Sequence, residues 1–144
     1  MENGIYYIDT IDRPKFTMGL RSDNIIHITL KDGVEVNQKI QDELVQVFLE
    51  LRQGCTIKIP AVIKMGEFIS IVDDIPMKQL HDISEMILCI IICAENAGHR
   101  LLANFYNTKF QPLNEYIIVK DFDQAIAYAK SKLDENDANS KVGN

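Results

Sequence analysis

Basic residues are scarce in this chain. Fifteen Lys and Arg stand against 21 Asp and Glu, a formal charge of −6 and a sequence pI near 5.0. A general nucleic-acid binder needs a basic stripe to displace counterions from phosphates, so this balance argues against that class. Long apolar runs are missing as well. The longest, Met86 to Ala94, is nine residues, against the ~20 that a membrane-spanning helix needs. Met1-Glu2-Asn3-Gly4 has no basic stretch leading into an apolar one, so no secretory signal is expected. Cysteine is sparse: Cys55, Cys89 and Cys93 are an odd number without the spacing of a disulfide framework. A reducing cytoplasm is the compartment this implies.

The usual chemical signatures are absent too. There is no GxGxxG and no GxxxxGK[ST], hence no nucleotide cradle by motif. His27, His81 and His99 fall in separate segments without HxxxH or HExxH spacing, so neither a metal nor a cofactor is expected. Cys89 and Cys93 sit in the apolar run, where a thiol behaves as a small hydrophobe. They lie too far apart on one strand face to clamp an ion, and a Cys–His nucleophile pair would have to meet in space. Asp73, Asp74 and Lys120 partly resemble the acids and lysine of a receiver domain. The third Asp is missing, because the strand that should carry it ends in Ala94-Glu95-Asn96. The two acids read better as charges at a helix N-terminus.

What is present is the material of one ordinary domain: 144 residues, 47% hydrophobic and 25% charged. The first 14 residues read as an extension in which Ile5-Tyr6-Tyr7-Ile8 either adds an edge strand or lies across the body. Lys15–Leu20 and Asn24–Leu30 read as a hairpin turning at Arg21-Ser22-Asp23. Ile26, Ile28 and Leu30 point to one face, and Ile25, His27 and Thr29 to the other. Asn37 caps a helix whose Ile40, Leu44, Val47, Phe48 and Leu51 recur at helical spacing up to Gly54. A strand opens at Pro60. Asp73-Asp74-Ile75-Pro76 then begins a helix carrying Met77, Leu80, Ile83 and Ile87. Ile87–Ala94 predicts a strand covered on both faces. After Asn96-Ala97-Gly98 comes a helix with Leu101, Leu102 and Phe105 as its stripe. Tyr116–Val119 is a short strand, and Asp121 with Gln124 starts the last helix, which buries Phe122, Ala125, Ile126, Ala129 and Leu133. Residues 134–144 read as a flexible polar tail. Strands alternating with helices, in the order ββαβαβαβα, predict a single α/β domain over residues 15–133 with a mixed β-sheet.

Two local features suggest sites. Asn96-Ala97-Gly98-His99-Arg100 follows a buried strand and opens a helix, so Gly98, His99 and Arg100 are candidates for holding an anion. Ser70, in Phe68-Ile69-Ser70-Ile71-Val72, and Ser84 are candidate phosphorylation sites; phosphate on Ser70 would add about two negative charges beside Asp73 and Asp74.

The succession of Asn24-Ile25-Ile26-His27, the long helix, Pro60-Ala61-Val62-Ile63, Ile87–Ala94, Arg100-Leu101-Leu102-Ala103-Asn104-Phe105-Tyr106 and Asp121-Phe122-Asp123-Gln124-Ala125-Ile126 resembles small bacterial SpoIIAA-like, STAS-like proteins of Bacteroidetes type. The resemblance covers residues 15 to 133. It implies a STAS-like mixed sheet of four or five strands with four helices packed mainly on one face. It also implies a non-enzymatic regulatory or protein-interaction module, with a protein partner or a homodimer. Classical members of the family are anti-sigma-factor antagonists, switched by phosphorylation of a Ser or Thr in a strand-to-helix loop with an Asp-Ser-Ser-Gly-like motif. The matching region here, Met65–Pro76, has Ser70 and lacks that motif. The alternative function is a small-molecule binder, for an anionic ligand near Gly98, His99 and Arg100 or a lipid-like one between helices.

Overall fold

The computed structural model describes residues 4–72 and 77–142. In these the chain forms β1 (Tyr7–Asp12), β2 (Phe16–Arg21), β3 (Ile26–Leu30), β4 (Glu35–Val36), α1 (Gln38–Leu51), β5 (Ile59–Met65) and β6 (Ser70–Ile71). There follow α2 (Lys78–Asp82), a 3-10 turn at Ser84–Met86, β7 (Ile87–Cys93), α3 (Ala97–Phe110), β8 (Tyr116–Val119) and α4 (Phe122–Val142). Without β1 and the short β4 and β6, this order is the expected ββαβαβαβα. The Asp73-Asp74-Ile75-Pro76 helix start lies outside the described residues.

Six strands form one mixed sheet in the order β1-β2-β3-β5-β7-β8. The pairs β1–β2 and β2–β3 are antiparallel, and β3–β5, β5–β7 and β7–β8 are parallel. A second, two-stranded parallel sheet joins β4 to β6. β1 lies within the segment read as an extension and forms an edge of the main sheet. The β2–β3 turn closes on Asn24, whose φ of 66° is left-handed, a conformation asparagine tolerates. The Arg21 N–H donates to Ile25 O at 2.9 Å across it.

Strand alternation divides the core between the two faces. On β7, Ile90 and Ile92 join a large cluster with Ile40, Val47 and Phe48 of α1 and Ala103 and Phe110 of α3. Cys89, Ile91 and Cys93 join Ile25, Val62 and the Ala125, Ile126 and Ala129 stripe of α4 on the opposite side. Three helices thus cover one face and α4 the other. Asn37 caps α1 as expected, its Oδ1 accepting the Ile40 N–H at 3.0 Å.

Three details differ from the sequence reading. The run Met77–Ile87 is broken: α2 ends at Asp82, and Ile87 is already in β7, paired with Ile59. The Ser84 hydroxyl donates to His81 O at 2.7 Å, and Asn114 Nδ2 donates to the carbonyls of Ser84 and Ile87, which turns the chain into the sheet. On α3, Leu101 is 76% and Phe105 40% exposed, and the face toward the sheet is Ala103, Tyr106 and Phe110. Both sets have helical spacing, and only tertiary packing chooses between them. Finally, α4 continues to Val142 through the polar segment, with residues 134–138 exposed and Lys132 bridging Glu115 and Glu135 just before it.

Candidate functional site

Two concave features lie on the α1–α3 side. The first is an apolar cavity of about 140 Å³ between the sheet and the three helices. Met18, Ile28, Ile63, Ile90 and Ile92 form its floor, and Leu44, Phe48, Leu80, Leu102 and Ala103 its roof. Among the described residues the polar ones on its wall are Gln41, Tyr106 and Tyr116, and none that lines it is charged. Gln41 is only 5% exposed and comes from the inner face of α1, next to Leu44, Val45 and Phe48. The Tyr116 hydroxyl donates to Ala103 O at 2.9 Å. Burial pushes the Tyr106 hydroxyl up to about 12 and raises that of Tyr116 as well.

The second is an open groove on the surface, lined by Glu67, Phe68, Ile69, Asn96, Gly98, His99, Leu101, Leu102 and Phe105. Ile69 and Leu102 line both features and stand between them. The loop on its rim is held by hydrogen bonds to the backbone and to the Asp32 side chain. The Gly66 N–H donates to Leu30 O at 2.8 Å, the Glu67 N–H to Asp32 Oδ1 at 2.8 Å, and the Gly33 N–H to Glu67 O at 2.7 Å. A Cβ on Gly66 would lie 2.8 Å from the Asp32 backbone nitrogen, so this approach requires glycine. Beyond it Phe68 is 85% exposed with φ of 60°, a left-handed backbone that is strained for a bulky residue.

Of the residues singled out in sequence, Gly98 and His99 reach this groove, whereas Arg100 is exposed and does not line it. The Asn96 side chain accepts the His99 N–H at 2.8 Å, so the helix terminus already holds an oxygen of its own. His99 Nε2 lies 3.1 Å from Gly66 O. A carbonyl only accepts, so Nε2 carries a proton here; Nδ1 is buried and has no hydrogen-bond partner among the described residues. Ser70 is exposed in β6 opposite Glu35; Asp73 and Asp74 lie outside the described residues. The Ser84 hydroxyl is engaged by His81 O.

The thiols and imidazoles do not converge. Cys89 and Cys93 are buried on the α4 face, and burial pushes both up to about 11, far from the thiolate a nucleophile needs. His27 is half-buried on β3. Its Nδ1 is 2.7 Å from the Tyr7 hydroxyl, and its ring lies 4.6 Å from that of Phe122. Burial, with Lys64 and Arg21 adding to it, lowers its pKa to about 4. Among the described residues no group of three His, Cys, Asp or Glu is placed to hold a metal, and no helix is long and apolar enough to cross a membrane.

The chain is similar in fold to a SpoIIAA-like protein. The solved structure is an uncharacterized protein from the DUF3478 family, with a SpoIIAA-like fold, from Shewanella loihica PV-4. It is 10% identical, with a TM-score of 0.46 over 88% of this chain and 94% of that one. At this identity the likeness concerns fold, and no site residue is carried over from it. No protein-family model and no curated protein matches the chain. The cavity wall was missed in the sequence reading, although a signal was there: Gln41 is a polar residue on the apolar stripe of α1, three residues before Leu44.

Proposed function

We propose that this domain is a binding module that takes a small apolar molecule in the cavity beneath α1, α2 and α3. The cavity itself carries this reading. Protein interiors keep few voids larger than a water molecule, and this apolar hollow of about 140 Å³ leaves its lining side chains short of packing partners. An apolar occupant supplies them. The buried thiols of Cys89 and Cys93, both pushed up to about 11, support binding over catalysis. Toluene is a suitable probe. Saturating toluene raises the Tm by several degrees because it binds the folded state alone. Native mass spectrometry of freshly purified protein detects any retained guest. No toluene shift and a clean apo mass together overturn the reading.

A protein-interaction module, acting as a homodimer, is the second reading, and the rim of the groove favours it. Phe68, Leu101 and Phe105 expose apolar surface there, and Phe68 is held outward on strained backbone. Sedimentation of the wild type and of a Phe68→Asp, Leu101→Asp double variant tests the dimer. A wild type that sediments as a monomer at every concentration removes it.

A further inference from the structure

β1 is a lightly held edge of the main sheet. Its register slips between Tyr7 and Asp9, and Ile8, Asp9 and Thr10 are all exposed. Tyr7 and Ile11 are its partly buried residues. The Tyr7 ring crosses β2 at Gly19, where a Cβ would lie 2.7 Å from its Cδ1 and 2.9 Å from its Cε1. Its hydroxyl then stands 2.7 Å from Nδ1 of His27 on β3. The missing side chain at position 19 is what lets β1 reach β3.

His27 is covered by two rings. That of Tyr7 is stacked on it with centroids 6.2 Å apart, and that of Phe122, from α4, lies 4.6 Å away. Among the described residues the charged groups beside it are Arg21 of β2 and Lys64 of β5. Arg21 Cζ and Lys64 Nζ stand 5.8 and 5.5 Å from the centroid of the same Phe122 ring. Arg21 has Asp23 as its counterion, which Lys130 of α4 also approaches at 4.0 Å. Thr29, on the same strand as His27, has its hydroxyl 3.3 Å from Nε2. A proton on His27 would therefore place a third cation around one half-buried aromatic ring. Taking Tyr7 away opens one side of the cover to solvent, so the chain with β1 released binds that proton more readily.

We propose that β1 is a strand released by protons: Tyr7 latches it to the neutral His27 ring across Gly19, and protonation of His27 frees it from the sheet before the rest of the chain unfolds. Release leaves β2 as the open edge, with a row of unpaired backbone groups. The latch lies on the face that α4 covers, opposite the hollow, and does not depend on what the hollow binds. Burial, with Lys64 and Arg21 adding to it, lowers the pKa of His27 to about 4, against ~6.5 for a solvated imidazole, so the latch works between those values.

Residue-resolved amide hydrogen exchange of the full chain tests this. The Ser22 N–H donates to Tyr6 O at 2.7 Å and reports on the Tyr7 end of β1, whereas the Ala94 N–H, bonded to Val119 O at 2.8 Å, reports on the join of β7 and β8. In the wild type, Ser22 is expected to exchange through an opening that leaves Ala94 protected. Its protection factor, corrected for intrinsic exchange, is expected to fall about 10- to 25-fold from pH 7.5 to 5.0. In His27→Gln that fall is expected to vanish. Gly19→Ala, which puts a Cβ into the Tyr7 ring, is expected to expose Ser22 at both pH values while Ala94 stays protected. Equal protection of Ser22 and Ala94 in the wild type overturns the proposal, because β1 then opens only with the whole chain. A wild-type Ser22 protection factor that is the same at both pH values also overturns it, as does a fall that survives in His27→Gln.

Discussion

Arg21 and Asp23 show how much one residue's setting matters. Their side chains are 5% and 11% exposed, joined by two parallel contacts, Nε to Oδ1 at 3.0 Å and NH2 to Oδ2 at 2.8 Å. Lys130 of α4 approaches the same carboxylate at 4.0 Å, and the guanidinium lies 5.8 Å from the Phe122 ring centroid. Asp23→Ala would strand a buried cation, so a loss of about 3 kcal/mol is expected by urea denaturation; a loss within surface range would show that water reaches Arg21. His27 is the second such residue. Its folded pKa of about 4 lies below the unfolded ~6.5, so between these values the unfolded chain binds the proton and the folded one does not. Stability is therefore full above pH 6.5 and falls as pH drops toward 4. His27→Gln flattens that part of the profile, read as the urea midpoint from pH 7 to 4.5. The Asp12 carboxyl, lowered chiefly by its hydrogen bond from Lys31, acts in a separate window below the usual carboxylate value. In sequence, Arg21 and Asp23 read as residues of a hairpin turn and His27 as one position on a strand face with Ile25 and Thr29. Nothing local reveals that α4 closes over them.

At the scale of elements, α4 is the clearest success of periodicity. Ala125, Ile126 and Ala129 are all buried, because small side chains at helical spacing let the helix lie close on β5 and β7. Its contact seals Cys89 and Cys93, both raised to about 11. A thiol reagent at pH 7.5 should therefore titrate the half-buried Cys55 first and reach the other two only on denaturation; rapid reaction of all three would mean α4 opens in the native state. α3 shows the opposite outcome. Its apolar residues surround much of the helix, so spacing alone supports both the Leu101–Leu102–Phe105 stripe, of which Leu102 does face the interior, and the Ala103–Tyr106–Phe110 stripe. The sheet takes the second, leaving Leu101 and Phe105 on the rim of the groove.

For the whole molecule, the unequal cover of the two faces is the main consequence. α4 presses small residues onto one face, whereas α1, the five-residue α2 and the outward-leaning apolar face of α3 leave a hole on the other. Ala103 lies on its roof, 3% exposed. Ala103→Leu should fill part of the space, stabilise the chain by about 1 kcal/mol and remove the toluene-induced rise in Tm. A destabilised variant that still responds to toluene would show that the cavity lies out of reach of that side chain.

The residues by themselves determined the element order, the hairpin, the cap at Asn37, the two-faced strand β7 and the buried stripe of α4. Each rests on local periodicity or on hydrogen bonds a few residues apart. The tertiary structure alone decided which stripe of α3 faces inward, where the run after Met77 stops being helical, and that Gln41, Tyr106 and Tyr116 meet on one apolar wall. Those three residues come from α1, α3 and β8. Spacing along a chain carries no information about the separation of side chains brought together by a sheet, so the candidate site became visible only once the helices were laid across it.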